Sequence, residues 1–111
     1  DLAVEALKDF VSKSFVSKNR IQQVQQIVAN HYNISVEDIK SKKRISSIAV
    51  PRQVAMYICR ITYEEPLTKI GTEFGGKNHT TVMHSVEKIK NQIKKDENLN
   101  KEINKIINNI K

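Results

Sequence analysis

Apolar residues recur at intervals of three and four along almost the whole chain, which is the spacing of one face of an α-helix. No stretch alternates apolar and polar residues as a half-buried strand does, and no internal repeat is present. The pattern therefore predicts an all-α domain with one core. The inward stripes are Ile21, Val24, Ile27, Val28 and His31; Val54, Ala55, Ile58, Cys59 and Thr62; Val82, Val86, Ile89 and Ile93; and Leu99, Ile103, Ile106 and Ile110.

Capping and breaking residues divide this pattern into helices. Ser35, followed three residues later by Asp38, resembles a capping box and predicts a short helix through Ile39. Val50-Pro51 predicts the start of the next helix, because proline is tolerated in a first turn, and Glu64-Glu65-Pro66 predicts its end. The remaining predicted features are a hinge at 11–17 with a cap at Ser17, a short helix from Leu67 to Phe74, a turn at Gly75-Gly76, a cap at Asn78 and a break at 96–98.

The segment Gly71-Thr-Glu-Phe-Gly-Gly-Lys77 allows two interpretations. It matches most of a phosphate-binding loop, G-x-x-x-x-G-K, but that motif needs a preceding strand and a Ser or Thr after the lysine. Here the preceding apolar residues have helical spacing, and residue 78 is asparagine. The alternative is the glycine turn of a helix-turn-helix, in which the second helix enters the major groove of DNA. We favour the second interpretation, and no Ser, Cys or His constellation indicates an enzyme.

Lys and Arg exceed Asp and Glu by 19 to 12, giving a net charge of +7. Six of these cations and no acid lie between Lys40 and Arg60, which favours a polyanionic partner, most often nucleic acid. His79 and His84 are five residues apart and do not form a zinc pair, so we predict no metal site. His31 and Cys59 are predicted to be packed side chains of the core.

Two motifs carry a family resemblance. The run from Ile70 to Ser85, IGTEFGGKNHTTVMHS, closely resembles the signature of the C-terminal DNA-binding domain of DnaA, the bacterial chromosome replication initiator. The run from Lys42 to Tyr57, KKRISSIAVPRQVAMY, resembles the basic loop and following helix of that family. The resemblance implies a compact helical domain with a helix-turn-helix that binds DnaA boxes, which are short A·T-rich double-stranded sites near the origin.

The resemblance also implies roles for individual residues. Arg44 matches an arginine that enters the minor groove, while the recognition helix occupies the adjacent major groove. The implied base contacts are Arg44, Gln53, Asn78, His79, Thr80 and Thr81, and the implied phosphate contacts are Lys42, Lys43, Arg52, Arg60 and Lys77. Family members usually have Arg-Asp where this chain has Lys77-Asn78, so the base preference at this position is open.

The implied domain organisation is a connector helix over 1–16 and a DNA-binding domain over 17–111. Within the latter, the basic loop is expected at about 40–49 and the helix-turn-helix at about 67–94. The first residues have the pattern of a helix interior from the first position. This suggests a fragment of a longer chain with an AAA+ ATPase upstream. ATP and Mg²⁺ are expected only in that upstream domain, and no cofactor is expected in this chain. The single cysteine and the absence of a long apolar run favour a cytoplasmic protein.

Two other interpretations stay open. The chain could be a protein-interaction module that binds a regulator or another initiator copy through its terminal helices, and this could coexist with DNA binding. An RNA-binding role is less favoured, because the chain has few aromatic residues and no evident stacking platform.

Overall fold

The computed structural model describes residues 20–110, and these residues form α-helices with no strand among them. The helices are α1 (20–32), α2 (Val36–Lys40), α3 (Ser46–Tyr57), α4 (Leu67–Glu73), α5 (His79–Lys95) and α6 (Glu97–Ile110), with a π-helical turn at Ile58–Thr62 after α3. The predicted all-α class is therefore confirmed. The connector helix predicted over 1–16 and the cap predicted at Ser17 lie outside the described residues. No helix within 20–110 is both long and apolar enough to cross a bilayer.

The core lies where α5 packs against α3 and α4, with α1 and α6 closing it. Phe74, Ile21, Met56 and Ile89 are among its fully buried side chains. Each such side chain stabilises the fold by about 1.5–3 kcal/mol relative to leaving it in water. The inward stripe of α5 is confirmed, since Val82, Val86 and Ile89 are buried and Ile93 packs at the edge of the core.

Side-chain caps fix the start of three helices. The Ser35 hydroxyl accepts a hydrogen bond from the Asp38 N–H at 3.0 Å and begins α2, as predicted. The Asn78 side-chain oxygen accepts from the Thr80 N–H at 2.8 Å and begins α5, also as predicted. The Asp96 carboxylate accepts from the Leu99 N–H at 3.1 Å, so the predicted break at 96–98 is a single capping residue between α5 and α6.

The predicted start of α3 at Val50-Pro51 is wrong. The helix begins four residues earlier, where the Ile45 carbonyl accepts from the N–H groups of Ile48 at 2.9 Å and Ala49 at 2.8 Å. Pro51 therefore lies inside the helix, where its missing N–H leaves the Ser47 carbonyl without its helical partner. Ser47 is exposed, so water can satisfy that carbonyl. The basic loop is consequently shorter than predicted and is confined to residues 41–45.

Two residues assigned to the inward stripes are not in the core. Thr62 is exposed, because the π-helical turn takes more residues per turn than an α-helix and rotates the residues at its end away from the inward face. His31 lies at the surface, where its Nε2 is 2.8 Å from Glu102 Oε1 and its ring meets Tyr32 edge-on at 5.0 Å. His31 thus connects α1 to α6 instead of packing in the core. The prediction for Cys59 is confirmed: its thiol is buried, and burial raises its pKa.

Candidate nucleic-acid interface

The turn between α4 and α5 is a tight helix-turn-helix connection. Gly75 and Gly76 have φ values of 89° and 75°, a region that side chains with a β-carbon disfavour. The Lys77 N–H donates to the Gly71 carbonyl at 2.7 Å, which holds the end of the turn against α4. A β-carbon at Gly71 would lie 2.1 Å from the Lys77 carbonyl oxygen, so this approach requires glycine. Glycine is therefore required for two different reasons: Gly75 and Gly76 need a positive φ, and Gly71 needs room for the Lys77 backbone.

The first turn of α5 presents polar side chains to solvent. His79, Thr80 and Thr81 are all exposed there. Asn78, immediately before them, uses its side-chain oxygen to cap the helix, so its amide N–H groups are the part left for a ligand. A helix-turn-helix places these positions against base edges in the major groove.

The basic loop carries three consecutive exposed cations, Lys42, Lys43 and Arg44. Lys43 pairs with Asp38 of α2, its Nζ lying 3.0 Å from the carboxylate oxygen. The hydrogen bond from Lys43 holds the pKa of the Asp38 carboxyl below its usual value. The Lys43 ammonium group is therefore paired within the protein while its side chain stays exposed.

An open groove separates the basic loop and α3 from the start of α5. Lys42 and Arg44 of the basic loop and Asn78 and Thr81 at the start of α5 all line it. The structure thus brings one end of the recognition helix next to the cationic loop. The remaining lining residues are Ser46, Ala49, Val50, Arg52, Gln53, Met56, Gly75, Gly76, Lys77, Ser85 and Lys88.

Two of the cations in this groove make hydrogen bonds within the protein. Arg52 is only 8% exposed, and its Nε donates to the Ile39 carbonyl at 2.8 Å. Lys77 is half-buried, and its Nζ donates to the Ser41 carbonyl at 2.9 Å. Burial lowers the pKa of Lys77, and the charges of Arg52 and Lys42 lower it further. The groove therefore concentrates positive charge, but Arg52 and Lys77 are less available to a ligand than the sequence suggested.

The other predicted site residues lie outside the lining of this groove. His79 and Thr80 flank it on the exposed first turn of α5, and Lys43 lies on the exposed basic loop. Arg60 lines a separate recess with Ile61 and Glu64, and its NH1 donates to the Glu65 carbonyl at 3.1 Å. The structure does not bring Arg60 into the groove.

Ser85 and Lys88 line the groove although the sequence analysis did not assign them to the site. They come after Thr81 at intervals of four and three, so they continue its face of α5. This spacing was the signal that could have identified them. Within residues 20–110, no three His, Cys, Asp or Glu side chains are arranged to hold a metal ion.

The chain is similar in sequence and fold to known helix-turn-helix proteins. Residues 21–89 match the family described as bacterial dnaA protein helix-turn-helix. A solved structure described as a DNA replication initiation factor is 27% identical, with a TM-score of 0.82 over 98% of this chain. A structure of AMPPCP-bound DnaA from Aquifex aeolicus is also 27% identical, with a TM-score of 0.69 over 89% of this chain. The chain spans 33% and 31% of the lengths of these two proteins.

Proposed function

The chain belongs to the family of bacterial DnaA helix-turn-helix domains, and we propose on that basis that it binds double-stranded DNA in the initiation of chromosome replication. The proposed target is a DnaA box. In this proposal α5 enters the major groove and the basic loop reaches the adjacent minor groove. The supporting observation is the single groove that Arg44 and Lys42 share with Asn78 and Thr81.

The electrostatics of the groove suit a phosphate backbone. Burial lowers the pKa of Lys77, and Arg52 and Lys42 lie close enough for their charges to lower it further. Such mutual repulsion is relieved when an anion enters, and released counterions add a favourable, salt-dependent contribution to binding. We therefore expect the affinity for any duplex to fall with rising salt, with Lys42, Lys43 and Arg60 as proposed phosphate contacts.

Arg44 is the proposed minor-groove contact. It is exposed on the basic loop and lines the groove. A narrow, A·T-rich minor groove has an enhanced negative potential that attracts an inserted guanidinium. In this proposal, Arg44 would favour A·T-rich sites because their minor groove is narrow.

The first turn of α5 supplies the proposed major-groove contacts. Thr80 and Thr81 each offer a hydroxyl for base edges or phosphates and a methyl group for the thymine methyl, and His79 offers a ring nitrogen. Asn78 offers N–H donors, because its oxygen caps α5. An N–H donor pairs with acceptors such as guanine O6 or thymine O4, whereas an aspartate in the same cap would keep an oxygen for the cytosine amino group.

Gln53 is proposed as a further base contact from α3. It lines the groove, and its side-chain oxygen is shielded from solvent without a hydrogen-bond partner within residues 20–110. An unpaired buried acceptor costs roughly 1–3 kcal/mol. Rotation of the amide toward a base N–H donor would remove this deficit in the complex.

A binding experiment tests the proposal. A labelled duplex containing a DnaA box and a scrambled duplex of the same length are titrated with the chain across a salt series. We expect tighter binding to the box at every salt concentration. With about three phosphate contacts, log K should fall against log salt with a slope near −2.7. Equal affinity for both duplexes at moderate salt would refute sequence-specific binding.

The rival function is protein interaction, and the same experiment separates it from DNA binding. No duplex binding at low salt, together with capture of a second initiator copy or a regulator at high salt, would favour the rival. Both activities can coexist in one domain. The proposal assigns no catalysis, ATP or Mg²⁺ to this chain and places the chain in the cytoplasm.

A further inference from the structure

The C-terminus of α2 is held from two other parts of the fold. Arg52 of α3 donates from Nε to the Ile39 carbonyl at 2.8 Å and from NH2 to the Asp38 carbonyl at 3.3 Å. Lys77, at the end of the helix-turn-helix turn, donates from Nζ to the Ser41 carbonyl at 2.9 Å. The last carbonyls of a helix lack intrahelical partners and carry partial negative charge, so cations are favoured there.

Ser41 is the residue on which these contacts converge, and it is the first residue of the basic loop. Its hydroxyl donates to the Asp38 carbonyl at 2.6 Å and accepts from the Lys43 N–H at 3.2 Å. The NH2 group of Arg52 is 3.4 Å from the same hydroxyl oxygen. The base of the loop is therefore ordered by α3 and by the turn, whereas Lys42, Lys43 and Arg44 beyond it are exposed.

We infer that Lys77 and Arg52 are positioning residues, which fix the basic loop relative to the recognition helix so that Arg44 reaches its groove. This inference rests on the proposed function and deepens it. It replaces the phosphate-contact role that the sequence analysis gave to these two cations. Lys77 acts by tying the loop to the turn that starts α5, and Arg52 acts by tying the loop to α3.

The two roles predict different coupling with Arg44. A lysine that binds a phosphate directly contributes independently of a distant arginine, so its loss reduces affinity by the same factor whether Arg44 is present or not. A lysine that positions Arg44 loses its effect once Arg44 is gone. A double-mutant cycle between Lys77→Met and Arg44→Ala therefore separates them.

The experiment measures the affinity of wild type, K77M, R44A and the double variant for a DnaA box duplex at one salt concentration. We expect K77M to weaken binding about tenfold in the wild-type background and less than twofold in the R44A background. K77R should restore most of the lost affinity, because a guanidinium can also donate to the Ser41 carbonyl. The matched control is K88M, which removes an exposed lysine of the same groove and should reduce affinity by the same factor in both backgrounds.

A thermal unfolding curve for each variant shows whether it is folded. If K77M does not fold, K77Q is compared with wild type instead: it keeps a side-chain N–H donor but not the charge, so it should keep most of the affinity if Lys77 positions the loop and lose it if Lys77 binds a phosphate. An equal loss from K77M in both backgrounds would overturn the inference and return Lys77 to direct phosphate binding. Failure of wild type to prefer the box would instead refute the proposed function, so the two failures are distinguishable.

Discussion

Gly75 of the helix-turn-helix turn lies directly against the carbonyl group of Lys40 at the end of α2. A β-carbon built at Gly75 would be 2.2 Å from the Lys40 oxygen, well inside any tolerated contact. The obstacle is a backbone atom, so it cannot move aside as a flexible side chain can. The turn and the end of α2 are therefore in close backbone contact.

Gly75→Ala is expected to be strongly destabilising for this reason. The matched control is Gly76→Ala, because Gly76 also has a positive φ but has no atom within 4 Å of a built β-carbon. G76A should cost about 1–2 kcal/mol, the usual penalty of a left-handed conformation, and G75A should cost clearly more. Urea unfolding of both variants measures the difference, and equal losses would show that the contact with Lys40 relaxes freely.

Arg44→Ala is expected to weaken box binding and to reduce the preference for A·T pairs on the minor-groove side. The loss should be about 1–3 kcal/mol, typical of a specific contact. Arg44→Lys keeps the charge but not the planar guanidinium, and it should recover nonspecific affinity more than sequence preference. The measurement compares box duplexes with A·T pairs exchanged for G·C pairs. A preference that survives in R44A would contradict insertion of this side chain.

His79→Ala and Thr80→Ala are expected to reduce affinity for the box by about 1–3 kcal/mol each and to change affinity for random duplex little. The reason is that base contacts carry the sequence information, whereas phosphate contacts do not. Asn104→Ala, an exposed polar residue of α6, serves as the control. Competition gel shifts with both duplexes give the ratio, and equal losses on the two DNAs would exclude base reading by these residues.

Asp38→Asn is expected to raise affinity for any duplex about two- to five-fold at low salt, because it releases Lys43 from its ion pair. Glu37→Gln removes the same charge from the neighbouring exposed position, without that pairing, and should raise affinity less. Salt titrations of both variants separate the two effects. An identical gain would mean that only the total charge matters.

The contribution of Tyr32 to the free energy of unfolding is expected to depend on pH in the alkaline range. Burial, and then the carboxylate of Glu102, raises the pKa of Tyr32 from 10.0 to about 12. The unfolded chain therefore releases this proton first, so the contribution is present below pH 10 and is lost as pH rises toward 12. Denaturant unfolding from pH 9 to 12 should show a steeper loss for wild type than for Tyr32→Phe. Parallel curves would place the phenol in a solvent-like environment.

Periodicity and capping chemistry were sufficient to predict most of the helices. The cap at Ser35, the cap at Asn78 and the turn at Gly75-Gly76 depend on local rules, and the structure confirms them. Local rules misplaced the start of α3, because proline favours a first turn only on average and tertiary packing can hold it deeper in a helix. The same local rules did not predict the π-helical turn, because its extra residue cannot be recognised from the amino-acid composition.

The candidate site was predictable in its elements but not in the use of each cation. A sequence shows that Arg52 and Lys77 are charged, and it does not show that the carbonyls of a neighbouring short helix lie within reach. The groove depends on how closely α2, α3 and the turn approach, which is a property of the packed core. Lys42 and Arg44 are exposed, as their charge predicts.

The close backbone contact between Gly75 and Lys40 has a consequence for the shape of any target. In the proposed complex the basic loop and α5 could not shift relative to each other, so the DNA would have to present its minor and major grooves at a fixed spacing and angle. One inserted base pair advances the helix by about 3.4 Å and turns it by about a tenth of a revolution. Under the proposed function, the spacing within the site would be as much a part of its recognition as the identity of the bases.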